Sequence, residues 1–103
     1  MSNLTDKRWE LTVLDADIPA EELDCLGAAD IDGDGNVEII AGGLSDTCAL
    51  AWYRPATGEK GVVCRSGSFH VGIAIEDIAG NGLKGVVVGE ARKGSDEWML
   101  TWY

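Results

Sequence analysis

Four acidic residues crowd one short stretch, Asp30, Asp32, Asp34 and Glu38, at positions 1, 3, 5 and 9 of Asp-Ile-Asp-Gly-Asp-Gly-Asn-Val-Glu. Alternate spacing lets a tight turn aim several side chains at one point, and Gly33 and Gly35 allow the backbone angles such a turn needs. Carboxylates packed this closely repel one another unless a cation offsets them. A hard cation such as calcium takes about six to eight oxygen ligands, many of them carboxylate. The expected ligand set is therefore the side chains of Asp30, Asp32, Asp34 and Glu38, the backbone carbonyl of Asn36, and water. An acidic turn without metal is the alternative, because Asp-Gly turns are common. An EF-hand opens on the same Asp-x-Asp-x-Asp-Gly pattern, but it needs a bidentate Glu at position 12 and a helix on each side. Position 12 here is Ala41, and both flanks are apolar runs of β type.

Other residues with chemical potential are sparse. Trp52-Tyr53 and Trp102-Tyr103 recur as a pair; packing between repeats is one reading, and a stacking platform for sugar rings is the other. His70 is the sole histidine, and a lone histidine at a strand start reads as a structural hydrogen-bonding group rather than a catalyst. No G-x-S-x-G elbow and no phosphate-binding P-loop occurs. Cys25, Cys48 and Cys64 make an odd count without C-x-x-C spacing, which fits neither a disulfide framework nor a zinc site. They read as buried small hydrophobes, with one disulfide plus a free thiol as the alternative.

What positions the acidic loop is an internal repeat. Residues 29–42 (ADIDGDGNVEIIAG) align without gaps on residues 76–89 (EDIAGNGLKGVVVG), with Asp30 against Asp77. Leu50-Ala51-Trp52-Tyr53 recurs as Leu100-Thr101-Trp102-Tyr103, three residues further out of phase. The turn-like Gly94-Ser95-Asp96 region absorbs that difference. Short apolar runs bounded by Gly, Asp, Asn and Pro predict strands near Trp9–Leu14, Cys25–Ile31, Val37–Ala41, Ala49–Tyr53, Val62–Arg65, Val71–Ile78, Val86–Gly89 and Trp98–Tyr103, which makes four per repeat. Ile39-Ile40 and Val86-Val87-Val88 are continuous rather than alternating, as in strands covered on both faces. Ile18–Leu23 could hold one helical turn started at Pro19. The expected fold class is all-β: a single domain of two four-stranded antiparallel units, about residues 15–60 and 61–103, with residues 9–14 as an outer strand. A four-stranded unit of this length reads as a propeller blade; a small β-sandwich is the competing architecture.

The Asp-Ile-Asp-Gly-Asp-Gly-Asn-Val-Glu-Ile-Ile-Ala-Gly run resembles the FG-GAP/VCBS-type repeat of integrin-like β-propellers. The resemblance spans both repeats, roughly residues 23 to 103. It implies a structural calcium site at Asp30, Asp32, Asp34, Asn36 and Glu38, and it leans towards an extracellular setting. The second copy departs from the pattern. Asp77 and Asn81 keep oxygen side chains, but Ala79 and Gly85 stand where Asp32 and Glu38 do, so little or no calcium is expected there.

Propellers typically have about four to eight blades, so two do not close a ring. The second repeat ends at Tyr103 without a last strand of its own, while an extra strand precedes the first. The N-terminal strand is therefore expected to complete the second blade of a neighbour. Such a head-to-tail contact closes into a ring of three or four chains. Alternatively the strand closes within the chain, or the chain is a fragment of a longer propeller. Acidic residues outnumber basic ones by 18 to 8, a net charge of −10, which argues against a nucleic-acid partner. No run of 18 apolar residues predicts a membrane span, and residues 1–8 lack the apolar core of a signal peptide. The expected function is a non-enzymatic, calcium-stabilised module that binds a carbohydrate or protein ligand. The rivals are part of a sugar-processing, lyase-like propeller enzyme and a purely structural assembly unit.

Overall fold

The computed structural model describes residues 9–18, 20–91 and 97–103, with the backbone alone at Val71. Among these described residues seven strands form, in chain order β1 Glu22–Ala29, β2 Glu38–Ser45, β3 Leu50–Arg54, β4 Glu59–Cys64, β5 Gly67–Glu76, β6 Gly85–Ala91 and β7 Trp98–Trp102. All pairings are antiparallel, and no helix occurs among the described residues. Hydrogen bonding runs β4-β3-β2-β5-β6-β7, with β1 on the other edge of β2. The link between β2 and β5 is short, only Leu44 with Ser68 and Ser45 with Gly67. The strands therefore fall into a first unit, β1 to β4, and a second, β5 to β7.

The internal repeat holds at the level of strand register. Leu26 pairs with Ala41 and Ala28 with Ile39 in the first unit. Their equivalents, Ile73 with Val88 and Ile75 with Val86, pair in the second. Trp52 opposes Ile40 and Leu50 opposes Gly42; Trp102 opposes Val87 and Leu100 opposes Gly89. Both first strands also carry an irregularity at the matching place, between Leu23 and Cys25 and between His70 and Ile73.

Side chains alternate across a strand, so each unit has two faces. The face of the first unit that carries Cys25, Ile40 and Leu50 packs on the face of the second that carries Val86 and Val88, with Phe69 between them. Ile73 and Ile75 of β5 lie so close to Gly27 of β1 that an added Cβ there would stand 3.0 Å from Ile73. The core is thus an interface between two layers of one seven-stranded sheet that packs on itself. The outer face of the first unit holds a smaller cluster of Ala41, Ala51 and Tyr53.

Three expectations change. The strand over Trp9–Leu14 does not form: residues 9–18 carry no strand. This segment instead crosses the outer face of the first unit, where Thr12, Leu14, Asp15 and Ile18 line a cleft with Leu26 and Tyr53. Ile18 and Ala20–Leu23 hold no helical turn, since β1 starts at Glu22; Pro19 lies outside the described residues, as does the Gly94-Ser95-Asp96 turn. Coverage on both faces is incomplete: Val86 and Val88 are buried, while Val87 between them is half-buried. No helix among the described residues is long and apolar enough to cross a membrane.

Asp15 anchors the N-terminal segment. Its Oδ2 accepts the hydroxyl of buried Tyr53 (3.0 Å) and faces Lys60 Nζ (3.4 Å). The Asp17 N–H, then Tyr53, holds the Asp15 carboxyl below its usual range, while burial and Asp15 push the Tyr53 phenol up to about 12. Between about pH 10 and that value the folded chain keeps a proton the unfolded chain has released, so stability falls as pH rises through this window. Urea unfolding at about pH 9 and about pH 11.5 should show the fall, and Tyr53→Phe should remove one proton from its slope. An unchanged slope in the variant would reject the link.

Candidate metal centre

The loop from Asp30 to Val37 joins β1 to β2. Asp30 Oδ1 accepts the N–H of Gly33 (3.0 Å) and Oδ2 that of Gly35 (2.8 Å). Asp32 Oδ1 accepts the Asp34 N–H (3.2 Å), and Asp34 Oδ1 accepts the Asn36 N–H (2.8 Å). The coil this produces needs positive φ at Gly33 (77°) and Gly35 (88°), which glycine adopts without a Cβ penalty. Glu38 enters from β2 with its Oε1 accepting the N–H of Ile31 (3.1 Å) and of Asp32 (3.3 Å).

One carboxylate oxygen from each of Asp30, Asp32, Asp34 and Glu38 lies within 4.8 Å of the others, so the cluster could hold a metal ion. A wholly oxygen donor set suits hard cations. Glu38 is only 3% exposed, and its Oε2 is buried with no hydrogen-bond partner among the described residues. An orphaned buried acceptor of this kind costs about 1–3 kcal/mol, more when charged. Desolvation, with Asp34 and Glu38 nearby, pushes the Asp32 carboxyl up, while the Asn36 N–H holds Asp34 down. The two acids are driven apart as like charges sharing a site must be. Asn36 is exposed and meets the cluster through its N–H; the converging side-chain oxygens are those of the four acids.

Arg54 is the participant that the sequence pattern did not flag. Its guanidinium pairs with Asp32 Oδ2 (2.9 Å) and Glu59 Oε1 (3.2 Å) and lies over the Trp52 ring (5.5 Å). It partly offsets the acidic loop and would compete with a cation for Asp32. The one clue was its place directly after Trp52-Tyr53, on the strand that runs antiparallel to the one opened by Glu38.

The second loop repeats the coil with one of the four carboxylates, Asp77. Asp77 Oδ2 accepts the Gly82 N–H (2.8 Å) and Asn81 Oδ1 accepts the Leu83 N–H (3.0 Å), with positive φ at Gly80 and Gly82. A Cβ on Gly85, the counterpart of Glu38, would stand 2.3 Å from Trp102 Nε1. The indole occupies the space a glutamate would need. The loop shape is therefore encoded by Asp and Gly, and metal capacity is added only in the first copy.

The four aromatic candidates do not share one platform. Trp52 and Tyr103 both line a cleft of about 250 Å³ between the units, together with Asp32, Glu38, Arg54 and Lys84. Tyr53 is buried on the opposite face of the first unit, and Trp102 is 57% exposed on the outer face of the second.

His70 joins a chain that the sequence reading did not connect: its Nε2 meets Ser68 Oγ and its Nδ1 faces Asp24 Oδ2 (3.3 Å). The order is that of a hydrolase triad, but Ser68 is buried in the ladder, paired with Leu44 on one side and Ala91 on the other. A strand held on both edges leaves no pair of free N–H groups to stabilise an oxyanion. The clefts that adjoin the acidic loop and the N-terminal segment are not lined by Ser68 or His70. All three cysteines are free thiols; Cys25 is a core residue as expected, whereas Cys48 and Cys64 are half-buried. No protein-family model, curated protein or solved structure matches this chain.

Proposed function

We propose that the chain is a non-enzymatic, calcium-stabilised pair of propeller-type blades that presents a carbohydrate- or protein-binding surface. The observation that carries this reading is the convergence of four carboxylates, with a buried oxygen of Glu38 that has no hydrogen-bond partner among the described residues. Calcium fits better than magnesium. The loop offers many anionic oxygens on a short flexible turn, whereas magnesium prefers few protein ligands and several retained waters. The cation would tie β1 to β2 beside the cleft between the two units. The adjacent cleft lined by Trp52 and Tyr103 supports the ligand half of the reading. Aromatic walls with a few charged groups suit a sugar ring or a small side chain. Its volume of about 250 Å³ suits one such group rather than a large substrate.

Calorimetric titration with calcium tests the metal. One site per chain is expected, because the second loop lacks the counterparts of Asp32 and Glu38; two tight sites would refute this. A glycan array read with and without chelator tests the ligand. Signal that needs both calcium and Trp52 supports the cleft, and no signal on any sugar favours a protein ligand.

A further inference from the structure

The intrachain interface leaves each of its two complementary faces present a second time, uncovered by the partner it has within the chain. Leu50 is 0% exposed in the first unit, but its counterpart Leu100 is 81% exposed. Ile40 is buried while Val87 is half-buried, and half-buried Trp52 corresponds to exposed Trp102. Trp98 joins Leu100 and Trp102 on the same exposed side of β7, since residues two apart share a face. On the other unit the pattern reverses. Ile73 packs against Gly27 of the facing layer, but its counterpart Leu26 is 68% exposed. A contiguous apolar face of this kind marks an interaction surface.

From this we infer that a second copy of this chain docks here, its β1–β3 outer face (Leu26, Ile39, Ala41) covering the β6–β7 outer face (Val87, Leu100, Trp102). The occupant follows from the repeat. The face that carries Ile40, Leu50 and Trp52 already packs on the face that carries Ile73, Val86 and Val88. The two outer faces, one bare and one lying under the N-terminal segment, are the register-for-register equivalents of that pair, so the contact between copies continues an interface the chain already forms. It is heterologous, one kind of face meeting the other, and repetition of one rotation closes it into a ring of three or four chains. The segment through Leu14, Asp15 and Ile18 lies on the Leu26 face in the single chain, and docking displaces it. The inference rests on the paired-layer reading of the fold and stands apart from the metal.

The test is solution mass by light scattering for three full-length chains: the parent, Leu26→Glu and Leu100→Glu. Both substituted positions are exposed, so each variant should keep its far-UV spectrum and its calcium titration, which separates loss of docking from loss of fold or of the metal site. The parent is expected at three or four times the 10.9 kDa chain mass, and each variant at the single-chain mass. An equimolar mixture of the two variants should give a 1:1 dimer, because each supplies the face the other lacks. A parent that stays monomeric at high micromolar concentration overturns the inference. So does either variant that keeps the parent's mass, or a mixture that stays monomeric.

Discussion

Phe69→Ala is expected to leave the chain largely unfolded near 37 °C. Phe69 is 0% exposed and sits at the junction of both units, in one cluster with Cys25, Ile40 and Leu50 of the first and Val86 and Val88 of the second. Its ring meets Tyr103 edge-on, with centroids 6.2 Å apart. Truncation of a buried Phe to Ala costs about 3–5 kcal/mol from lost transfer and the residual cavity. Small domains have about 5–15 kcal/mol in total, and a chain of 103 residues with a two-layer core lies at the low end. For a domain of this size each kcal/mol lowers Tm by about 4–8 °C, so a drop of about 15–30 °C is expected. Phe69→Leu keeps most of the volume and should cost under about 1.5 kcal/mol. Leu100→Ala, at a position where the repeat predicts core but the side chain is 81% exposed, should change the stability of a single chain by under about 0.5 kcal/mol. Thermal unfolding by circular dichroism ranks the three, and a Phe69→Ala midpoint within a few degrees of the parent would contradict the two-layer core.

That contrast between Phe69 and Leu100 shows where the sequence is legible. The repeat predicted the pairing of the strands, because apolar alternation and turn glycines are local properties and survive in both copies. The acidic loop was legible for the same reason: Asp and Gly at fixed offsets specify the coil directly, and the second copy keeps the coil with Asp77 while losing the other three acids. Strand ends were harder. Glu59-Lys60-Gly61 of β4 and Glu22-Leu23-Asp24 of β1 look like turn residues, yet they lie in strands, the first paired with Trp52–Arg54 across a tight hairpin and the second with the far end of β2. Residues 9–14 alternate like a strand but form none, and the segment is instead anchored through Asp15 on a sheet face. Arg54 has no counterpart among the described residues, so the repeat could not flag it. Which of two equivalent faces is covered depends on what packs there, and no local pattern encodes that.

Glu38→Gln should separate the two roles of the buried acid, with opposite effects in the presence and absence of calcium. Glu38 Oε1 accepts the N–H groups of Ile31 and Asp32, and a glutamine oxygen can keep both bonds. Oε2 is buried without a hydrogen-bond partner among the described residues, and Glu38 clusters with three other carboxylates. The amide in its place is neutral and donates, which removes a like charge and gives Asp32 or Asp30 a new partner. Without metal the variant should therefore match or exceed the parent in stability, by up to about 1 kcal/mol. With calcium the order reverses. For a dissociation constant of about 0.1 mM, typical of extracellular modules, a hundredfold excess stabilises the parent by about 2.7 kcal/mol, or about 10–20 °C in Tm. Loss of one of four anionic ligands should weaken binding by at least about tenfold, so the variant gains about half of that or less at the same calcium concentration. Melting curves in chelator and in about 10 mM calcium read both arms. Equal calcium shifts in parent and variant would remove Glu38 from the site. A variant markedly weaker in chelator would mean that the orphaned oxygen is held by a partner other than the cation.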